Sequence, residues 1–328
     1  MKNNIFIVRT PLQSFNAVEA KERFCRDENN HIVIVCRSNR DRELFAKIIL
    51  QKEWSKIQYV NIKPHLQLLT FFRKLLKDTP KVEKCFLGDY STIISYYMNR
   101  VKYQKLILLE DGASTIRRAE LLEERVWHKL KKTAYSKKSK IEIFLEKLLK
   151  IDISYYYNGI FFTIYNLNNQ IDMIKNDYRF FKDRLKSRPK KEVAFFIGSS
   201  IINTRILLDV ETFEKYVTKV SEIYKQRGMK FYYILHRKED EEYMKQLSER
   251  LDFKCLRFDN IIELEFVEME YIPYEISTFM SSAVTTLHSL YPSTYKYCPF
   301  ELDDITPKFK DPMEKLYIQY DKEGIGRL

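Results

Sequence analysis

The sequence is poor in glycine, with 7 in 328 residues, and it carries only 5 cysteines, 9 prolines and 2 tryptophans. Motifs built on glycine are accordingly missing: there is no GxGxxG, no Walker loop and no GxSxG. The few glycines that remain mark candidate positions where a side chain would obstruct the backbone or a ligand. Cys25, Cys36, Cys85, Cys255 and Cys298 lie far apart without CxxC spacing, which excludes a zinc ribbon or a dithiol redox pair. Cys36 and Cys85 fall in or beside apolar runs and read as small buried hydrophobes. HExxH, Cys/His ligand spacing and DxD are also missing, and Asp303-Asp304 lacks the intervening residue, so no metal and no cofactor are expected. Long apolar runs are absent too. Nothing approaches the roughly 20 residues that span a bilayer. The N-terminal run Ile5-Phe6-Ile7-Val8 ends at Arg9, too short for the apolar region of a signal peptide. The expectation is a cytoplasmic protein, with peripheral attachment to the inner face of a membrane left open.

What is present is globular composition, 45 % hydrophobic and 31 % charged, in a chain long enough for two domains. Tyrosine and phenylalanine, 23 and 22, suit packed α/β layers and surfaces that stack on sugars or bases. The net charge is +12 and the pI about 9.2. Such a balance favours anionic partners: nucleotides, acidic glycans, an anionic membrane face or nucleic acid. A non-enzymatic polyanion- or nucleic-acid-binding protein would show a basic-aromatic binding motif, and none is visible. A solvated basic surface is the plain alternative.

Short apolar runs alternate with longer helical patterns, the signature of parallel sheets built from βαβ units. Strands are expected at Ile5–Val8, Ile32–Cys36, Tyr59–Ile62, Lys84–Leu87 and Leu106–Leu109. Helices are expected from Ser14 to Phe24 and from Asp41 to Gln51, with Thr10-Pro11-Leu12-Gln13 as a loop. From Ala119 to Lys150 the pattern is helical and strongly basic, either an amphipathic surface for anionic lipid or a packed helix with a solvated face. The Pro-broken basic run Lys182–Glu192 marks a boundary, taken at 185/186. Beyond it follow strands at Val193–Ile197, Phe231–Leu235 and Lys254–Arg257. Helices are expected at Val210–Arg227 and Glu239–Leu251, then a helix-turn pattern through Ile272 and Ser282. The fold class is α/β, two facing Rossmann-like domains of GT-B type, residues 1–185 and 186–328.

Open α/β sheets bind ligands beyond the carboxyl ends of their strands. Four such ends carry polar residues. Glu110-Asp111-Gly112 closes the fifth apolar run, and one acid of the pair is a candidate base for activating a hydroxyl; the competing reading is Asp111 as a helix cap. His236-Arg237-Lys238 follows the run Phe231–Leu235 and is either a phosphate contact or an exposed histidine. Gly198-Ser199-Ser200 follows Val193–Ile197, where backbone N–H groups are candidates to bind an anion. The stretch from Pro273 to Ser282 offers Glu275 to ribose hydroxyls and Ser281 and Ser282 to a phosphate, or else opens an amphipathic helix. The acidic run Glu239 to Glu242 reads as a helix opening.

Taken in order, Glu110-Asp111-Gly112, His236-Arg237 and Ser281-Ser282 resemble the motifs of bacterial sialyltransferases. Tyr274-Glu275-Ile276-Ser277-Thr278-Phe279, with Ser281, Ala283 and Thr286, is similar to glycosyltransferase family 52, as is the loop Thr10-Pro11-Leu12-Gln13. The resemblance implies inverting, metal-independent transfer from CMP-sialic acid to a galactose-type acceptor of lipooligosaccharide or capsule. It assigns Asp111 as base or acceptor-orienting acid with Glu110 beside it, His236 to the CMP phosphate, and Thr10 and Gln13 to the acceptor. Gly198, Ser199, Arg237, Glu275, Ser277, Thr278, Ser281 and Ser282 become nucleotide-binding candidates. The sequence departs from the pattern at Arg237, where the family has Pro, and at Ile201, where some members have an acid. A UDP-hexose donor in the same fold is therefore the alternative.

Overall fold

The computed structural model describes residues 2–112, 114–123, 144, 147–152 and 154–328. It divides into two compact units, Met1–Phe180 and Phe181–Leu328.

Unit 1 is a seven-stranded, wholly parallel sheet. Its strands are β1 (Asn3–Val8), β2 (Asn29–Cys36), β3 (Lys56–Asn61), β4 (Lys81–Leu87), β5 (Lys102–Leu109), β6 (Ile160–Thr163) and β7 (Met173–Lys175), in the order β3-β2-β1-β4-β5-β6-β7. The helices are α1 (Pro11–Phe24), α2 (Asn39–Ile49), α3 (His65–Asp78), α4 (Thr92–Met98) and α5 (Ser114–Glu123), with α6 (Arg179–Asp183) spanning the division between the units. The strands are apolar on both faces because helices cover both. Ile5, Ile7, Val33, Val35, Cys85, Leu87, Leu106 and Leu108 enter one core. Their alternates Phe6, Val8, Ile32, Ile34, Cys36, Phe86, Ile107 and Leu109 enter the other, as the two-residue period of a strand dictates. Phe6 stacks on Phe86 across β1 and β4 at 4.0 Å.

Unit 2 repeats the topology in six parallel strands. They are β8 (Lys190–Ile197), β9 (Lys230–Ile234), β10 (Lys254–Leu256), β11 (Ile272–Thr278), β12 (Thr294–Tyr297) and β13 (Gly326–Arg327), ordered β10-β9-β8-β11-β12-β13. The helices are α7 (Ile201–Thr204), α8 (Val210–Gln226), α9 (Glu241–Leu251), α10 (Ile262–Glu268), α11 (Ser282–Leu290) and α12 (Lys310–Lys322). Counted within each unit, both sheets run 3-2-1-4-5-6, the doubly wound order, with unit 1 adding a seventh strand.

Three readings need correction. Thr10–Gln13 is no loop: Pro11 opens α1, Thr10 caps it, and Gln13 completes a capping box. Pro273–Thr278 is no helix start but most of β11, the strand that pairs β8 on one side and β12 on the other. The predicted helix Ala119–Lys150 is seen as α5, which begins at Ser114; Lys129–Lys150 lies outside the described residues except for Phe144 and 147–150. Phe144 and Leu148 are exposed. Among the described residues no helix is long and apolar enough to cross a membrane.

Candidate functional site

In each unit the strand order reverses beside the first strand, between β1 and β4 in unit 1 and between β8 and β11 in unit 2. In doubly wound sheets this is where the strand-end loops diverge and ligands bind. Polar side chains gather at both places.

In unit 1 the cluster draws on three strand-end loops. Thr10, after β1, donates its hydroxyl to Asp111 Oδ1 at 2.8 Å. Arg118, projecting from α5, donates to Asp111 Oδ2 at 3.0 Å and to the Gly88 carbonyl at 3.2 Å, and lies over the Tyr90 ring. Ser114 donates to Asp111 Oδ2 at 3.3 Å, and Thr115 Oγ1 accepts from the Asp111 N–H at 2.8 Å. Arg9 pairs with Asp89 at 3.0 Å. Two cations and two carboxylates thus close a mutually neutralising network, with the Asp111 carboxylate held by three side-chain donors.

Two sequence candidates in this unit have other work. Glu110 is fully buried and accepts from the Thr163 hydroxyl at 2.7 Å and the Ile164 N–H at 2.6 Å, so it ties β5 to the end of β6. Gln13 is buried, and its Oε1 accepts from the N–H groups of Arg9 at 2.8 Å and Thr10 at 3.3 Å. It fixes the loop that presents Thr10. Gly88 is required beneath it, because a Cβ there would stand 2.5 Å from Gln13 Oε1.

In unit 2 the loop after β9 carries His236, half-buried, with Nδ1 accepting from the Lys238 N–H at 3.2 Å. Burial, then Arg237, Lys238 and Arg257, push the imidazole below the ordinary histidine range. It is neutral at pH 7, and with Nδ1 occupied as an acceptor its proton sits on Nε2. Arg237 is exposed beside it. Ser281 caps α11 and Ser282 heads it, exposed; the Ser281 backbone is braced by Tyr320, whose hydroxyl accepts from Ser281 N–H and donates to Ser281 O, both at 2.9 Å. The Ser199 hydroxyl donates to the Met280 carbonyl at 2.7 Å, joining the β8 loop to the β11 loop.

The Gly198-Ser199 loop already holds an anion. It is the carboxylate of Glu239, which accepts from the His236 N–H at 2.6 Å and from the Tyr233 hydroxyl at 2.8 Å, with the Ser199 N–H adding a favourable field. Gly198 has no side chain because this carboxylate fills the space: a Cβ would lie 2.4 Å from Glu239 Oε2 and 2.8 Å from the Ile234 carbonyl. Burial pushes the Glu239 carboxyl up to about 7 against the hydrogen bonds that favour its charge. Glu239 precedes α9, whose cap is Asp240. Its one sequence signal is the spacing His236-x-x-Glu239, half of a capping-box pattern.

Three further candidates are structural. Glu275 is fully buried in a two-pronged pair with Arg227 at 3.0 and 2.8 Å and accepts from the Tyr224 hydroxyl at 2.7 Å. Arg227 follows the end of α8, shortly before β9 begins, which sets this pair at the amino ends of the strands. Ser277 shares its hydroxyl with Tyr224 at 2.6 Å, and Thr278 donates to the Ile197 carbonyl at 2.9 Å. All three residues are buried and satisfied inside the sheet. Among the described residues no group of three or more His, Cys, Asp or Glu side chains is placed to hold a metal ion.

No family model and no curated protein matches the sequence. Solved structures do match in shape. A sialyltransferase from Photobacterium damsela aligns over 99 % of this chain and 80 % of its own at 11 % identity, TM-score 0.53. The UDP-GlcNAc 2-epimerase of Neisseria meningitidis bound to UDP-GlcNAc aligns over 99 % and 87 % at 9 % identity, TM-score 0.52. A further UDP-N-acetylglucosamine 2-epimerase aligns over 100 % and 83 % at 8 % identity, TM-score 0.55. The chain shares their fold, two parallel-sheet α/β domains of GT-B type.

Proposed function

We propose that this chain is an inverting glycosyltransferase that moves sialic acid from CMP-sialic acid to a galactose-type acceptor of a bacterial surface glycan, acting in the cytoplasm. One observation carries the reading: unit 1 ends its crevice strands in a hydroxyl-bound carboxylate, while unit 2 ends its own in a neutral histidine and a helix N-terminus. The first suits an acceptor hydroxyl and the second a nucleotide phosphate.

In this mechanism the acceptor hydroxyl donates to Asp111, whose orientation Thr10 and Arg118 fix. Asp111 takes the proton as the hydroxyl oxygen bonds to the anomeric carbon, and the bond from that carbon to the CMP phosphate oxygen breaks from the opposite side. The electron pair leaves with the phosphate, where His236 Nε2–H and the head of α11 at Ser281 and Ser282 receive the charge. A neutral imidazole at pH 7 hydrogen-bonds the leaving group rather than protonating it. Side chains and backbone dipoles meet the charge, so the step as drawn needs no metal.

A second reading, a UDP-hexose donor, is favoured by one feature: Arg237, Lys238 and Arg257 all act on His236, more cationic charge than a monophosphate needs. A thermal-shift series with CMP, CMP-sialic acid, UDP, UDP-glucose and GDP separates the two. A ligand at 100 times its Kd stabilises the folded chain by about 2.7 kcal/mol. Stabilisation by CMP and CMP-sialic acid is expected. Stabilisation by UDP alone would replace the donor, and no response to any nucleotide would remove the glycosyltransferase reading.

A further inference from the structure

At the end of β8 the space beside Gly198 is filled by the Glu239 carboxylate, which also takes the His236 N–H of the loop after β9. We propose that Glu239 is an internal counter-anion of the donor site, and that a nucleotide phosphate binding beside His236 draws a proton onto its carboxyl. The inference rests on the donor site proposed above.

The geometry keeps this carboxylate in place. Gly198 leaves room for it where a Cβ would collide, and the Tyr233 hydroxyl holds its second oxygen. Among the described residues no lysine or arginine forms an ion pair with it: Arg257 donates to the Glu239 main-chain carbonyl at 3.1 Å and pairs instead with Glu241 at 2.6 Å. The titratable and charged groups around it are Tyr233 and Cys255 from β9 and β10, His236, Arg237 and Lys238 from its own loop, Arg257 beyond β10, and Tyr243 from α9. The β8 loop contributes only the neutral Ser199. Burial holds the carboxyl up at about 7 without ligand. A second anion on the His236 loop disfavours the ionised form further, so binding takes up a proton. By linkage, nucleotide affinity then falls as pH rises through the free carboxyl's range.

Isothermal titration of CMP into the full chain tests this, at about pH 6.5 and about pH 8.5 and in buffers of different ionisation enthalpy. Proton uptake is expected for the wild type near neutral pH. Its affinity should weaken about tenfold more than that of Glu239→Gln across the range, as a one-unit shift requires. His236→Ala controls for titration of the imidazole and should retain the uptake. Wild-type binding without proton uptake overturns the inference even if Glu239→Gln fails to fold, and so does an equal pH slope in Glu239→Gln. If CMP and UDP fail to bind at every pH, the donor-site reading falls and this inference with it, an outcome distinct from binding without uptake.

Discussion

The two units share one topology and satisfy their strand ends in opposite ways. Unit 1 places two arginines against two carboxylates, so charge is cancelled by charge and each partner is fixed by the next. Unit 2 buries a carboxylate on N–H and hydroxyl donors and keeps its histidine neutral, with its cations turned to solvent or to other acids. Strand order determines where a crevice forms; the residues after each strand determine what the crevice can hold. One strand end holds its carboxylate with a cation, the other with neutral donors alone.

The sharpest way to break the comparison is to remove the one group each side contributes in the proposed mechanism. Asp111→Asn keeps the shape and takes away the proton acceptor, so transfer should fall about 1,000-fold. His236→Ala should cost about 100-fold by removing one donor to the leaving phosphate. Melting temperature should hold within a few degrees in His236→Ala, while Asp111→Asn should lower it further by leaving Arg118 without its carboxylate. Initial rates with CMP-sialic acid and a galactoside check this, and near-wild-type turnover in either variant removes that residue from the site.

A structural pair comes next, the glycines that follow β8 and β4. Gly198→Ala forces a Cβ against main-chain oxygen and the enclosed Glu239 carboxylate, and should destabilise unit 2 by about 3 kcal/mol. Gly88→Ala meets the side chain of Gln13, which can move aside only by giving up its bonds to the Arg9 and Thr10 N–H groups, and should cost about 2 kcal/mol. Urea unfolding of the two variants ranks them; equal losses would mean that Gln13 is as immovable as backbone.

Much of this architecture is legible in the amino-acid sequence alone. β1, β2, β4, β5, β8 and β9 are apolar runs whose ends are marked by Arg, Gly, Glu or His, and Asp111 and His236 stand out because they follow such runs. β11 is not legible, since Pro273, Glu275 and Ser277 interrupt its apolar pattern. Those polar residues are tolerated only because Arg227 and Tyr224, about 50 residues earlier, satisfy them. Local sequence cannot show a partner supplied from that distance. The same reason hides Arg118 and Glu239, whose roles depend on neighbouring strands rather than on neighbours in sequence. α3 is a different case: Leu68, Leu69, Phe72 and Leu75 form a regular stripe that a strand-first reading passes over.

The smallest expected effect sharpens the contrast through pH. In unit 1, burial and the nearby Lys56 hold His31 at about 4, so the folded state resists a proton that the unfolded chain accepts near 6.5. Acidification from pH 7 to 5 therefore costs unit 1 stability, about 1 kcal/mol after allowing for partial exposure. In unit 2, His236 and His288 act in the same direction, but Glu239 and Glu263 are held up near 7 by burial. These carboxyls take up protons when folded and not when unfolded until about pH 4.5, so they gain stability over the same window and offset the histidines. Hydrogen exchange corrected for intrinsic rates should show protection falling in the β1, β2 and β4 core of unit 1 more than around β8 and β11 of unit 2. His31→Gln should abolish that difference, and Glu239→Gln should enlarge unit 2's own loss. Equal loss of protection in both units would mean that the buried carboxyls of unit 2 titrate like exposed ones, and that its crevice is wetter than its packing indicates.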